Sequence, residues 1–199
     1  HSLSRRQRQM CIRDRVIQVY LHVLYNKSVS EADSLDLDLL LKDRMHTIVS
    51  QLMEDEKFEH FTDQKEMKEF YYDGLDIIDW VKNHRREYFS NRGFELVGIE
   101  TPISYEIKNG IYMKGYIDLV IRDTIHNMYK IIDLKTSTRG WNKYQKSDPM
   151  KTSQLIIYKE YYAKQYNVPV DNIDVEFIIL KRKLFESSAF PQKLSLIHI

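Results

Sequence analysis

Cysteine is nearly absent from the sequence, since Cys11 is the single one in 199 residues. One cysteine cannot form a disulfide framework, and it cannot build a cysteine-ligated metal site or an iron–sulfur cluster. This scarcity is compatible with a reducing compartment. Long hydrophobic runs are also lacking, because the most apolar early stretch, residues 16–25, is too short to span a bilayer and contains Gln18 and His22. We therefore expect neither a disulfide-stapled fold nor a membrane partner.

Proline and glycine are scarce as well, with four and six residues, and no internal repeat or low-complexity segment interrupts the chain. Hydrophobic residues make up 43% and charged residues 30%, which is ordinary for a soluble globular protein. The length fits one domain with a real core. A strong net charge is missing too, because the formal value is +1. Any polyanionic partner must therefore meet a local basic patch.

The two ends differ in composition from the rest of the chain. Residues 1–15 carry five arginines against one aspartate, lack an initiating methionine and show no apolar periodicity. Such a start is compatible with an organelle transit peptide. However, it resembles translated sequencing-adapter sequence, as do the last residues KLSLIHI, and we favour that interpretation. We therefore expect residues 1–15 and 193–199 to be non-native segments that do not join the core, and residues 16–192 to form a single domain of slightly negative charge.

Apolar spacing predicts helices in the first half of the chain and strands in the second. Residues 33–53 and about 63–89 have apolar positions at helical spacing. Asp33 or Ser34 could cap the first helix, and Asn91-Arg92-Gly93 ends the second. Segments rich in Ile, Val and Tyr follow, and another helix precedes the last strand. The predicted strands are 94–107, 111–122, 128–135 and 173–183, with the helix at about 149–166. The order ααβββαβ indicates an α/β or α+β fold, with helices flanking a mixed central sheet.

Two turns set the register of the first three predicted strands. Asn109-Gly110 is a strong signal for a tight hairpin, because this dipeptide readily adopts positive φ. Paired residue numbers in an antiparallel hairpin have a constant sum, so this turn places Glu100 opposite Asp118. The looser turn that follows places Asp118 opposite Ile132 or Asp133. A slip of one residue would break this arrangement.

Charged residues at these positions predict a metal-dependent site. Asp is depleted in strands, yet Asp118 and Asp133 interrupt apolar runs. Cross-strand partners share a face, and Lys135 lies two residues beyond Asp133 on that face. Clustered carboxylates repel one another, and Mg²⁺ supplies the counter-charge with one or two carboxylates among its ligands. Such an ion polarises a phosphodiester and activates water, while Lys135 would orient that water or stabilise developing charge. For any one residue alone, a strand end or a surface ion pair is the more ordinary interpretation; the whole set favours a phosphodiesterase site.

At this point the sequence resembles a known family. Gly115-Tyr-Ile-Asp118 followed by Asp133-Leu-Lys135-Thr resembles the G-x-x-D … D-x-K-T core of PD-(D/E)XK nucleases. Gln154-Leu-Ile-Ile-Tyr158 is similar to the Q-x-x-x-Y motif of the RecB-like branch, which includes phage-type exonucleases. The resemblance covers roughly residues 40–183. It implies a restriction-endonuclease-like fold, a DNA substrate, Mg²⁺ or Mn²⁺ bound by the two aspartates, a catalytic lysine, and a Gln and a Tyr that contact the site and the strand.

Two further metal ligands follow from the resemblance on weaker matches. Glu100 occupies a loosely defined acidic position of the family. Asp43-Arg-Met-His46 is similar to the G-x-x-H of many RecB-like members but lacks the glycine, and a lone helical His is more often a polar surface residue or a capped core residue. Gln154 and Tyr158 share one helix face, where the Tyr ring could stack on a base or pack with neighbouring tyrosines.

Basic residues interleaved with aromatic ones suit binding of single-stranded nucleic acid. One such cluster comprises Arg139, Trp141, Lys143, Tyr144, Lys146 and Lys151, and Lys181-Arg182-Lys183 ends the last strand. Solvated charge runs are also common, so neither cluster is persuasive alone.

The leading hypothesis is a metal-dependent deoxyribonuclease, an exonuclease of replication, recombination or phage DNA processing. The resemblance places it in the cytoplasm of a bacterial or phage-infected cell, with a recombinase or helicase as candidate partner. One alternative is a catalytically inactive nucleic-acid- or partner-binding module on the same fold. Another is a helical interaction protein, which leaves the sheet motif unexplained.

Overall fold

The computed structural model describes residues 5–53, 64–89, 92–138, 140–182 and 194–199. The chain divides into two compact units, residues 1–85 and 86–199, of which the first is helical and the second contains the sheet. The helices are α1 (Arg5–Asn26), α2 (Val29–Asp33), α3 (Leu37–Met53), α4 (Gln64–Tyr88), α5 (Lys143–Lys146) and α6 (Pro149–Tyr166), with a 3₁₀ turn at Val170–Asn172. The strands are β1 (Phe94–Lys108), β2 (Ile111–Asp123), β3 (Met128–Ser137), β4 (Ile173–Lys181) and β5 (Leu194–His198).

Asp33 links three helices of the first unit. The Tyr20 hydroxyl of α1 donates to the Asp33 carboxylate at 2.9 Å, and Arg85 of α4 forms an ion pair with it at 3.1 Å. The sequence analysis assigned Asp33 or Ser34 as the cap of α3, and this is wrong, because α3 begins later. The side chain of Asp36 accepts the Leu39 N–H at 2.9 Å and takes that role.

The second unit contains a five-stranded sheet in the order β1-β2-β3-β4-β5. β3 and β4 are parallel and the other neighbours are antiparallel, so the sheet is mixed. The connection between the parallel strands runs through α6, as a parallel pair requires a crossover. Apolar side chains of α6 and the sheet form the core of this unit, among them Leu155, Tyr162, Ile131, Phe177 and Ile179. The predicted mixed α/β fold is confirmed.

The predicted bounds of β1 to β4 and of α6 agree with the structure to within two residues. β5 was not predicted. α6 occupies the predicted range, with Pro149 at its first turn and the Asp148 side chain accepting the Met150 N–H. The last predicted strand was expected to extend to residue 183. In the structure, β4 ends at Lys181, and residue 183 lies outside the described part of the chain. None of the described helices is long and apolar enough to cross a bilayer.

The terminal segments that the sequence analysis excluded from the fold contribute elements to it. α1 begins at Arg5, and its Ile12 is buried. β5 pairs with β4 and buries Leu194 and Ile197. The expectation that these segments do not join the core is therefore wrong. Their adapter-like origin stays a prediction, as does the single domain at residues 16–192.

Deletion of residues 194–199 is expected to lower the melting temperature by roughly 5–10 °C. The deletion removes the buried Leu194 and Ile197 and leaves the carboxylate of Glu176, which is 1% exposed, without His198 at 3.1 Å. Thermal unfolding of the truncated chain measures the effect. A matched pair refines it, since Ile197→Ser should destabilise whereas Ile199→Ser, at a half-exposed position, should not. If the truncated chain and both variants melted like the parent, β5 would contribute nothing to stability.

Candidate active site

The three predicted site carboxylates, Glu100, Asp118 and Asp133, lie on β1, β2 and β3, which run side by side. Ile99 pairs with Leu119 and Thr101 pairs with Ile117, as the predicted register requires. Glu100 therefore lies opposite Asp118. On the other side of β2, Leu119 pairs with Ile132, so Asp133 follows opposite Asp118 in the same register. Of the two registers that the second turn allowed, the one in which paired residue numbers sum to 251 is therefore confirmed, and its continuation brings Asp133 opposite Asp118.

Backbone pairing between β2 and β3 ends at Leu119 and Ile132, immediately before the two aspartates. Beyond that point the Leu134 N–H donates to Oδ2 of Asp118 at 2.7 Å. A side-chain carboxylate thus accepts the hydrogen bond that a backbone carbonyl of β2 would otherwise accept. This charge-assisted bond orients Asp118.

The carboxylate of Asp133 is held from two sides. It is 2% exposed, and Nζ of Lys135 lies 2.7 Å from its Oδ2. The amide of Gln154 donates to its Oδ1 at 3.2 Å and to the hydroxyl oxygen of Tyr158 at 3.3 Å. The two motifs, one on β3 and one on α6, therefore meet at a single carboxylate.

Electrostatics at this site favour additional positive charge. Burial, followed by the nearby charge of Asp133, raises the pKa of Asp118 to about 7. Burial likewise raises the pKa of Asp133, although Lys135 opposes the shift. Burial alone would lower the pKa of Lys135, but attraction to Asp133 and Asp118 outweighs it and the pKa is raised. One ammonium therefore faces two carboxylates, with Glu100 adding further negative potential at Asp118.

Gly115 allows the Tyr158 ring to reach this site. A Cβ placed on Gly115 would lie 3.1 Å from a ring carbon of Tyr158 and 3.3 Å from its hydroxyl oxygen. Such distances are closer than ordinary van der Waals contact, so a larger residue would displace the ring. The glycine of the G-x-x-D pattern and the tyrosine of the Q-x-x-x-Y pattern are in direct contact.

The Tyr158 ring is buried, with 8% of its surface exposed, and it belongs to the core cluster under α6. Its face is therefore not available for a base to stack on. The hydroxyl is the part of the residue directed at the site, where it accepts from Gln154. Of the two interpretations of Tyr158 left open by the sequence, packing describes the ring and a site contact describes the hydroxyl.

Asp118 and Asp133 fit a divalent cation by the chemistry of their donors. Hard oxygen ligands, two adjacent carboxylates and a surplus of negative charge are what Mg²⁺ or Mn²⁺ requires. Among the described residues, no three His, Cys, Asp or Glu side chains form a group close enough to hold a metal ion. Mg²⁺ is commonly bound by one or two carboxylates together with water and phosphate oxygens, so the two aspartates are a sufficient core for such a site.

The two weaker metal candidates lie on different elements, Glu100 on β1 and His46 on α3. Glu100 has a φ of 49°, a left-handed conformation that non-glycine residues rarely adopt in a strand. Backbone strain of this kind is concentrated at functional sites. His46 is exposed on α3, in the helical unit.

The predicted nucleic-acid-binding residues divide into exposed and packed ones. Trp141 is packed, with its ring centroid 4.9 Å from that of Phe177 and the Lys151 ammonium 5.4 Å above the indole. Lys151 also forms an ion pair with Asp148 at 3.2 Å. Arg139 lies outside the described residues. The exposed members are Lys143, Tyr144 and Lys146 on α5, and Tyr144 is 84% exposed.

The sequence analysis missed two features of this site. The Leu134 N–H is a backbone donor, so no residue type signals its bond to Asp118. The contact between Gly115 and Tyr158 was visible only as two separate motif positions. A glycine three residues before an aspartate within a strand was the available signal, since glycine in a strand often marks a close approach.

The chain belongs to the PD-(D/E)XK nuclease superfamily, because the model of that family matches residues 19–194. No curated protein matches the chain. The class of protein is therefore a nuclease, while the resemblance to the RecB-like branch stays a prediction.

Proposed function

We propose that this protein is a metal-dependent nuclease that hydrolyses DNA phosphodiester bonds, with Asp118, Asp133 and Lys135 at its catalytic centre. One observation carries the proposal: two adjacent carboxylates, one buried and one partly buried, both have a raised pKa and face one ammonium on a sheet of a PD-(D/E)XK chain. Such an arrangement is costly for folding, because each carboxylate disfavours the charge of the other. Strongly perturbed acids of this kind are typical of functional sites.

Asp118 and Asp133 would hold Mg²⁺ or Mn²⁺, with Glu100 and His46 proposed as further ligands. When bound, the ion supplies polarisation of the phosphodiester and a lower pKa for attacking water. Cation binding would also relieve the repulsion between the two aspartates.

The remaining side chains orient and stabilise charge in this proposal. Lys135 is kept protonated by its neighbours, so it can donate to a phosphate oxygen on which negative charge develops. The Gln154 amide fixes one oxygen of Asp133, and the Leu134 N–H fixes one oxygen of Asp118. The exposed residues of α5, Lys143, Tyr144 and Lys146, would contact the phosphates and bases of the substrate strand.

Exonuclease action, in replication, recombination or phage DNA processing, is the finer part of the proposal and rests on the Q-x-x-x-Y resemblance. End-labelled linear DNA and closed circular DNA, each with Mg²⁺, Mn²⁺ or EDTA, test it. We expect cleavage of the linear substrate with either metal and none with EDTA. Cleavage of the circle would make the enzyme an endonuclease. Metal-independent cleavage, or DNA binding without any cleavage, would contradict the proposed chemistry, and the second result would favour a binding module.

His46→Ala is expected to weaken Mn²⁺-supported cleavage more than Mg²⁺-supported cleavage, because nitrogen donors suit transition metals and Mg²⁺ prefers oxygen. The measurement is the cleavage rate against the concentration of each metal. Because His46 is exposed, its removal should change the melting temperature little, so a shift in metal dependence reports ligation and not packing. His22→Ala, at another exposed helical histidine, is the matched control. An unchanged Mn²⁺ dependence would remove His46 from the site and leave the assignment of Asp118, Asp133 and Lys135 untouched.

A further inference from the structure

Lys181, at the end of β4, is a lysine in an unusual environment. It is 9% exposed, although lysine is almost never fully buried without a partner. Gly140 lies across its methylene groups, since a Cβ on that glycine would lie 3.2 Å from Cε and 3.4 Å from Cδ of Lys181. In the described part of the chain, no carboxylate or hydrogen-bonding group contacts the ammonium of Lys181. Gly140 thus covers the stem of a lysine whose charge has no counter-ion among the described residues.

A second ammonium makes this environment more positive still. Burial, and then the positive charge of Lys146, lowers the pKa of Lys181. Lys146 is exposed on α5 and forms no ion pair with any of the described residues. Two neighbouring ammonium groups repel each other, as do the carboxylates of the nuclease site, but with the opposite sign. An anion placed between them would relieve that repulsion.

Lys181 lies close in the sheet to Lys135 of the proposed nuclease site. Lys135 pairs with Ile179 on β4, and Ser137 pairs with Lys181. The two lysines are therefore on the same face of the sheet, one strand apart and two residues apart along the strands. This corresponds to roughly 8 Å between their backbones. An extended polyanion that reaches Lys135 can continue directly to Lys181.

We propose that Lys181 and Lys146 form a phosphate-binding subsite for the nucleic-acid backbone, next to the scissile phosphate. The proposal rests on the proposed nuclease function and deepens it. A backbone phosphate fits because it is anionic, recurs along the strand and requires no base recognition. The subsite positions the strand and takes no part in the chemistry at Asp133 and Lys135.

Lys181→Met tests this subsite, because it keeps the length of the stem and removes the charge. Binding of a short fluorescent oligonucleotide, single-stranded or duplex, is measured in EDTA across a series of salt concentrations. Loss of one phosphate contact should reduce the salt dependence of log K by about 0.7 to 0.9 and weaken binding roughly tenfold at low salt. Lys146→Met, at an exposed position, should shift the slope in the same direction without touching the packed stem.

Lys164→Met is the matched control, because this lysine lies ten residues beyond Gln154 on α6 and is held by Glu160 at 2.7 Å. That distance is about 15 Å along the helix, and the slope should not change. Unchanged slopes for both Lys181→Met and Lys146→Met, or an equal change for the control, would overturn the subsite.

The two levels of the proposal can fail separately. If the parent protein cleaves DNA with metal while Lys181→Met and Lys146→Met bind like the parent, the subsite is wrong and the nuclease function stands. If the protein binds DNA with the expected change in slope but never cleaves it, the subsite stands and the proposed chemistry is wrong. Absence of any DNA binding would overturn both.

Discussion

Asp133→Asn and Lys135→Ala should each lower the rate of DNA cleavage by two orders of magnitude or more, on the order of 3 kcal/mol of transition-state stabilisation. Asp133 receives both the Lys135 ammonium at 2.7 Å and the Gln154 amide at 3.2 Å, so its charge organises the whole site. Asparagine keeps the shape of the side chain and removes the charge that a metal ion requires. Single-turnover rates at saturating DNA separate this loss from weaker binding.

Matched controls lie on the same unit. Asp174→Asn changes an exposed aspartate of β4, and Lys108→Ala changes an exposed lysine at the end of β1. Both should cleave at close to the parental rate. If a folded Asp133→Asn or Lys135→Ala protein were as fast as these controls, the catalytic centre would lie elsewhere.

Asp118→Asn should stabilise the metal-free protein near pH 8. The pKa of Asp118 is raised from 3.8 to about 7, so the folded protein disfavours the ionised carboxylate. Such a group costs stability as the pH rises from the unfolded pKa through the folded one, and the cost is complete above about pH 7. Removing it should add on the order of 2–4 kcal/mol of unfolding free energy in EDTA at about pH 8. The asparagine carbonyl can still accept the Leu134 N–H, so that hydrogen bond survives.

The pH dependence and the metal response check the cause. Well below the unfolded pKa of 3.8, at about pH 3, the carboxyl is protonated in both states, so the difference between Asp118→Asn and the parent should disappear. Adding Mn²⁺ or Mg²⁺ at about pH 8 should stabilise the parent more than the variant, because only the parent keeps both carboxylates. Denaturant unfolding in EDTA and in metal measures both effects. A variant that is less stable than the parent in EDTA at every pH would contradict the electrostatic account of this site.

The register of the catalytic strands could be predicted because hairpins are local. Asn109-Gly110 fixes which residues of β1 and β2 face each other, and the second turn leaves a choice of one residue between β2 and β3. α6 was equally accessible, since Asp148 and Pro149 mark its start and Asn167 takes the left-handed conformation that ends it. Each of these signals lies within a few residues of the element it specifies.

The parts that sequence reasoning missed depend on contacts between distant residues or on excluded segments. Trp141 was assigned to nucleic acid because it lies among basic residues, but it packs against Phe177, thirty-six residues further along the chain. β5 was missed because residues 193–199 were interpreted as a non-native tail, and this short strand is specified by its pairing with β4. α5 is an exception to both causes, because the capping box that marks its start, formed by Asn142 and Gln145, is a local signature.

The contact between Gly115 and Tyr158 has a consequence for how this protein can diverge. A Cβ at position 115 would lie 3.1 Å from the Tyr158 ring, so neither position can change freely while the other stays as it is. A smaller side chain at 158 would leave a void that alanine at 115 could partly fill, whereas alanine opposite an intact tyrosine would require the ring beside Gln154 to shift by a few tenths of an ångström. Among descendants of this sequence, substitutions at the two positions should therefore be correlated, and replacement of the glycine should be less frequent where the tyrosine is kept.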